Sequence, residues 1–324
     1  EYIRLIILDS IYIMKILITG GAGFQGTHLT DKLCELGHNV TVLNTLTPNA
    51  LNNKKFIQHK AHVVWGSITD KEVVEKAMRG KDVVFHLGAR INVDESILHP
   101  WETIEVNVHG TLNVLEAARK TGARVIHAST CEVYGKPDQT PITETTELKP
   151  MSPYAASKAA ADRLCYAYAK TYNLNVIIPR FFNIFGERQK ESNFGAVIPI
   201  FVGKALRGEP IKVFGSGEQT RDYLHISDVV DAYCLLLDHS DLSGEVINFG
   251  SGNCVRIIDI ANHVSDKLNV KIEKIESRAG EATEMVADNS KAKKLLGWEP
   301  KVDFKEGLDM YIEWRVNNQE TKKK

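Results

Sequence analysis

Three short runs combine residue types and spacings that could do chemistry. Tyr154-Ala155-Ala156-Ser157-Lys158 sets a phenol and an amine four residues apart, on one face if the segment is helical. A lysine so placed lowers the phenol's pKa towards neutrality and makes it a usable base for a sugar or alcohol hydroxyl. The same stretch repeats the spacing at Tyr166 and Lys170, about 18 Å further along a helix axis. Ser152-Pro153 reads as an N-cap and first helical residue, which puts Tyr154 in the opening turn and leaves Tyr166 and Lys170 as packing and solvated charge. Ser129-Thr130-Cys131-Glu132-Val133-Tyr134-Gly135 follows a strand pattern. Carboxyl ends of parallel strands border ligand crevices, so Thr130 and Glu132 are expected to face a substrate. A glutamate at a strand end is ordinarily a solvated charge, but here a hydroxyl and the tyrosine base flank it.

The third run is Gly20-Gly21-Ala22-Gly23-Phe24-Gln25-Gly26, with G-x-G-x-x-G at 21, 23 and 26 and a wider spacing at 20, 23 and 26. It lies between a strand pattern and a helix. Its glycines allow a tight turn, close approach to a pyrophosphate and close helix–strand packing, and the helix N-terminus offers free N–H groups. Dinucleotide binding is the expected role. The acid that grips the adenosine ribose at the end of the second strand is replaced by Asn44. An amide can bond ribose hydroxyls without repelling a 2′-phosphate, and the nearest cations are Lys54 and Lys55. NAD is the expected cofactor, with NADP left as the alternative.

The elements that must position these groups alternate from Met14 onward. Strand patterns at Lys15–Thr19, Val40–Leu43, Val63–Trp65, Val83–His86, Val125–Ala128 and Val176–Ile178 are separated by helical stretches, notably Thr103–Lys120 and Tyr154–Thr171. Continuous apolar strands between helices predict an α/β fold with a doubly wound parallel sheet. We divide the chain into an extension (1–13), a dinucleotide-binding domain (14–178, with 222–250 returning to it), a smaller mixed substrate-binding lobe (179–221 and 251–316) and a tail (317–324). Met14 reads as the natural start.

Composition removes other classes. Of 324 residues 43% are hydrophobic and 25% charged, and the net charge is −1. A core is affordable, and no global field recruits nucleic acid or an anionic membrane. The first residues are too short and too charged for a span or a cleavable signal. Five scattered cysteines without a C-x-x-C pair form neither a disulfide framework nor a zinc site, so no metal and a reducing, cytoplasmic setting are expected.

Taken together, the glycine run, Ser-Thr-x-Glu-Val-Tyr-Gly and Tyr-x-x-x-Lys resemble the extended short-chain dehydrogenases that modify nucleotide sugars, the NAD-dependent epimerase/dehydratase family. The resemblance extends from Met14 to about Arg315 and includes Pro179–Gly186, Gln219–Tyr223 and Lys291–Trp298. It implies that Gly20, Gly23, Phe24, Gln25, Gly26, Asn44, Ser67, Ile68, Leu87, Ala89, Asn107, Tyr154 and Lys158 line the cofactor. It implies Asn183, Arg188, Arg221 and Arg278 on the nucleotide diphosphate, Val197-Ile198-Pro199 near its base, and Arg90 beside the sugar. Arginine forks suit phosphate oxygens, although a lone arginine is commonly a surface ion pair. Departures are Asn44, Gln25 in an ordinarily aliphatic place, and Gly88-Ala89-Arg90. A homodimer through Thr103–Lys120 and Tyr154–Thr171 is also implied, with Ala155, Ala156, Ala159 and Ala160 permitting close helix approach.

The implied chemistry begins at sugar C4: Tyr154 takes the hydroxyl proton, Thr130 bonds the oxygen, and a ketone acidifies C5–H. By the resemblance, the Glu132 place holds a carboxylate in many dehydratases and in decarboxylases, and ordinarily not in epimerases. This favours a 4,6-dehydratase, with a 4-epimerase or a uronate decarboxylase as alternatives. A dinucleotide-sensing regulator without catalysis is the non-enzyme alternative, and it has no need of Tyr154, Lys158 and Thr130 together.

Overall fold

The computed structural model describes residues 13–57, 59–191, 196–276 and 284–320. The strands are β1 (Lys15–Thr19), β2 (Asn39–Asn44), β3 (His62–Trp65), β4 (Val83–His86), β5 (Arg124–His127), β6 (Ser129–Thr130) and β7 (Val176–Phe181). They continue as β8 (Asn183–Phe185), β9 (Ile211–Phe214), β10 (Thr220–His225), β11 (Val246–Phe249), β12 (Cys254–Arg256) and β13 (Ile272–Ile275). The helices are α1 (Phe24–Glu35), α2 (Pro48–Ile57), α3 (Lys71–Met78), α4 (Val93–Leu98), α5 (Pro100–Ile104) and α6 (Gly110–Thr121). Then come α7 (Pro153–Tyr172), α8 (Val197–Leu206), α9 (Ile226–Asp238), α10 (Ile257–Leu268), α11 (Ser290–Leu296) and α12 (Phe304–Glu320).

Seven strands form a parallel sheet in the order β11-β7-β5-β4-β1-β2-β3, and β6 extends the pairing beside β7. The order reverses between β1 and β4, the switch point where α/β sheets bind ligands at strand carboxyl ends. The apolar runs form strands because both faces are covered. Ile16 and Ile18 enter one core with Leu29, Phe85, Tyr233 and Phe249, while Leu17 enters another with Val84, Val114, Val125 and Ile178. A separate core of Phe185, Phe201, Val213, Tyr223, Ile260 and Tyr311 packs elements outside this sheet, including β10 between β12 and β8, and β13 beside β9.

Local sequence explains the ends of the key helices. Ser152 accepts a hydrogen bond from Ala155 N, Pro153 fills the first position, and Asn173 closes α7 in the left-handed region at φ 53°. The stretch Thr103–Lys120 is not one α-helix. A π-helical turn, Glu105–His109, separates α5 from α6. Such a wide turn inserts one residue and re-aims its side chains, commonly at functional sites. Here Asn107 is the buried residue of the turn.

Candidate active site

The catalytic candidates converge from β6, the short 3₁₀ turn Cys131–Tyr134, and the start of α7. Tyr154 is buried, its backbone N–H donates to Ser96 Oγ at 3.0 Å, and its hydroxyl is hydrogen-bonded to Thr130. Thr130 Oγ1 also accepts from Glu132 N at 3.3 Å, so one side chain orders both the phenol and the turn carrying the carboxylate. Burial raises the Glu132 carboxyl above its usual range, and Arg221 pulls it back in part. Burial and then Glu132 push the Tyr154 phenol well above its ordinary value, against the Thr130 hydrogen bond. Lys158 Nζ donates to Ala128 O at 2.6 Å, and burial lowers its pKa to about 8. The expected lowering of the phenol by the amine is therefore not what the protein alone shows, since the amine is spent on a carbonyl. Tyr166 and Lys170 are exposed, the ammonium lying 5.3 Å from the ring centre, as surface packing.

Beneath these groups lies a network that sequence reasoning missed. Asp162 of α7 accepts from Arg180 Nε at 2.8 Å and Nη2 at 3.0 Å, from Ser129 Oγ at 2.8 Å, and from Arg163 Nε at 3.0 Å. Arg180 Nη1 donates to Tyr134 Oη at 2.8 Å, and that hydroxyl donates to Asn248 Oδ1 at 2.7 Å. Burial would raise Asp162, but the arginines outweigh it and hold the carboxyl below its usual range. The network ties the tyrosine–lysine helix to both ends of the Ser129–Gly135 segment. Its signal was available: an arginine within the apolar strand Val176–Phe181 requires a buried partner.

The cofactor cradle is built by close backbone approach. A Cβ on Gly26 would come within 2.4 Å of Gly20 O, and one on Gly20, already at φ +72°, within 2.9 Å of the Gly88 backbone. Gly23 caps α1 without a side-chain bond, which suits its first N–H groups to a pyrophosphate. The residues present thus fit a dinucleotide. Asn44 Oδ1 accepts from Ala22 N at 3.1 Å and Nδ2 donates to Thr45 O at 2.9 Å, so this amide holds the turn itself. Asn53, which sequence reasoning did not single out, donates to Ala22 O at 3.1 Å. Gln25 Oε1 accepts from the buried Tyr233 hydroxyl at 3.0 Å, which explains an amide in that place. Phe24 meets His28 edge-on. Asn107 accepts from Arg90 N and donates to Arg90 O and Ser157 Oγ, pinning the segment that contains Leu87 and Ala89. Another missed residue, His86, is hydrogen-bonded to Thr19 and Thr111, and burial lowers its pKa to about 3. Ser67 bonds Thr69, and Ile68 lies against Gly110.

The candidate substrate contacts divide. Arg221 acts electrostatically on Glu132, and its neighbour Asp222 accepts from Ser251 N, Gly252 N and Ala287 N, fixing that end of β10. Asn183 Nδ2 donates to Asp222 O at 3.2 Å, beside Arg221. Val197 opens α8 within the separate core. Arg90 lies 3.7 Å from Glu95. Arg188 is not brought to this cluster: in the left-handed region at φ 64°, it pairs with the Asp31 carboxylate of α1 and covers the Phe56 ring. Arg278 lies outside the described residues. Cys131 is buried, and burial drives its thiol pKa far up, so it is a poor acid. Among the described residues no cluster of His, Cys, Asp or Glu could hold a metal, and no helix is long and apolar enough to cross a membrane.

Comparison with known proteins shows what the whole chain is similar to. The family model described as GDP-mannose 4,6 dehydratase matches residues 17–311. A putative UDP-glucose 4-epimerase of Methanocaldococcus jannaschii is 36% identical over 311 residues, 94% of this chain and all of that protein. UDP-glucuronic acid decarboxylase 1 of Xenopus tropicalis is 37% identical over 320 residues, 94% of this chain and 74% of its own. The dTDP-glucose 4,6-dehydratase DesIV of Streptomyces venezuelae, solved with NAD bound, superposes with a TM-score of 0.87 at 32% identity, covering 95% of this chain and 98% of that one.

Proposed function

The chain belongs to the GDP-mannose 4,6-dehydratase-like family of NAD-dependent nucleotide-sugar epimerases, dehydratases and decarboxylases, and we propose that it is a 4,6-dehydratase of a nucleotide-diphosphate sugar. One observation carries this reading: the half-buried Glu132 carboxyl lies close enough to Tyr154 to act on its phenol, and partial desolvation raises the carboxyl's own pKa. A 4-epimerase needs no base beyond the tyrosine, so a desolvated second carboxyl has no task there. Bound NAD supplies the two-electron oxidation at C4 and the matching reduction at C6.

The chain's own residues do the rest. Tyr154 takes the C4 hydroxyl proton as its phenolate, a form that the nicotinamide cation of bound NAD would favour against the burial that raises the phenol's pKa, and Thr130 holds the oxygen in line. The C4 ketone acidifies C5–H, whose proton passes to Glu132 as the C5 carbanion forms. The C6–O bond then breaks, and protonated Glu132 returns its proton to the departing hydroxyl, which leaves as water; as C6 is reduced, Glu132 recharged from solvent would protonate C5, and Tyr154 gives the C4 hydroxyl proton up to solvent. A raised pKa suits a carboxyl that serves as base and then acid. The neighbouring Cys131, its thiol driven up by burial, does not supply that acid, so Glu132 serves in both steps. The arginine acting on Glu132 and the 37% identity to a uronic acid decarboxylase favour uronate decarboxylation as the second reading.

Glu132→Gln separates the readings. We expect the variant to oxidise C4 and accumulate reduced-nicotinamide absorbance while water loss stalls. Wild-type turnover in D₂O then labels C5. An active wild type that leaves C5 unlabelled and retains its C6 oxygen overturns the dehydratase. Carbon dioxide release from a uronic acid substrate alone establishes the decarboxylase.

The free cysteines agree with a cytoplasmic location. A homodimer through α6 and α7 accords with the exposed Leu112, Ala156, Ala160 and Tyr166 on those helices, while Ala155 and Ala159 pack inward.

A further inference from the structure

We propose that the adenosine end of the cofactor site does not reject a ribose 2′-phosphate, so the chain binds NADP(H) with an affinity comparable to NAD(H). This rests on the dinucleotide reading of the glycine turn and extends it to cofactor choice.

Discrimination against a 2′-phosphate comes from a carboxylate at the end of the second strand, which accepts from the ribose hydroxyls and repels the phosphate charge. Here Asn44 ends β2, and its amide is engaged twice, accepting from Ala22 N at 3.1 Å and donating to Thr45 O at 2.9 Å. The residue that would read the 2′-hydroxyl is thus a neutral brace of the glycine turn. No neighbour restores the missing charge. From Leu36 to Thr69 the sequence contains no aspartate or glutamate and three lysines, Lys54, Lys55 and Lys60. Asp31 of α1 is already paired with Lys60 at 2.8 Å and with Arg188. Asn53 joins α2 to the same turn through Ala22 O at 3.1 Å, and the exposed Lys54 and Lys55 follow it on that helix, Lys55 lying over the Phe56 ring. The stretch from β2 through α2 to β3 thus carries cations and amides but no carboxylate, so nothing on it repels a phosphate entering this corner.

The test is calorimetric or fluorescence titration of the whole chain with NADH and NADPH. The expected dissociation constants lie within about tenfold of each other. Asn44→Asp should widen the ratio against NADPH by about tenfold or more. A Lys54→Glu/Lys55→Glu variant, which leaves the Asn44 brace untouched, should move it the same way. A wild-type preference for NADH above about a hundredfold overturns the inference while leaving the cofactor reading standing. An unchanged ratio in both variants also overturns it. Binding of neither nucleotide overturns the dinucleotide reading itself.

Discussion

Asp162→Asn strikes a buried charge pair whose loss can be costed from its surroundings. The Asp162 side chain is fully buried and that of Arg180 is 2% exposed, with two N–H···O bonds between them. Removing the negative charge leaves a guanidinium in the interior with the Tyr134 hydroxyl as its remaining strong partner. Breaking a buried pair on one side costs about 3–5 kcal/mol, a large share of the roughly 5–15 kcal/mol that holds a protein folded. Asp162→Asn/Arg180→Met removes both charges, so its cost should fall below the sum of the single changes by about 2–3 kcal/mol. Urea unfolding of the four proteins near neutral pH measures both quantities. The carboxyl's depressed pKa gives a second signature: its contribution is present above the unfolded value of about 3.9 and is lost as pH falls through the lower folded value. A single-variant cost below about 1 kcal/mol, or strict additivity, would refute the reasoning.

Three further outcomes follow from the site. Tyr154→Phe should lose about 10²–10⁴-fold in turnover yet keep nucleotide-sugar affinity, whereas full activity in it and loss in Tyr166→Phe would reverse the assignment. His86 has a folded pKa of about 3 against 6.5 when free, so the unfolded chain takes the proton first and stability declines as pH falls through that window. Thermal melts across it should show a shallower decline in His86→Gln, and an unchanged slope would exclude the histidine as the cause. Sedimentation at micromolar protein should give a dimer that Ala156→Arg converts to a monomer, and a monomeric wild type would remove α6 and α7 as the interface.

The strands, the glycine turn and the Tyr154 helix were legible because each has a local cause: continuous apolar runs, close backbone approach, and the Ser152-Pro153 cap. Thr130, Glu132 and Tyr154 could be grouped because strand ends and a helix start share one edge of such a sheet. Other features depend on partners distant in sequence. Asp162 and Arg180 meet across 18 residues, Gln25 and Tyr233 across 208, and Arg188 and Asp31 across 157, so no local pattern announced them. The π turn was hidden for a different reason. Its one-residue excess leaves the helical periodicity of Thr103–Lys120 nearly intact while turning Asn107 towards Ser157.

The pairing of β11 with β7 bears on how the polypeptide is made. When the ribosome has emitted Phe181, six of the seven strands in that order are available, but the far edge of β7 is bare, and the strand that covers it is translated more than sixty residues later. Between the two, the chain must build β8 to β10 and α9, whose Tyr233 packs on Phe85 and Phe181 beneath the same sheet. An open parallel edge is a template for pairing with other chains, so the nascent protein has an interval of exposure that ends only when Val246–Phe249 arrives. Vectorial synthesis therefore cannot finish one half before starting the other, and truncation anywhere before residue 249 should yield an aggregating fragment rather than a smaller folded protein.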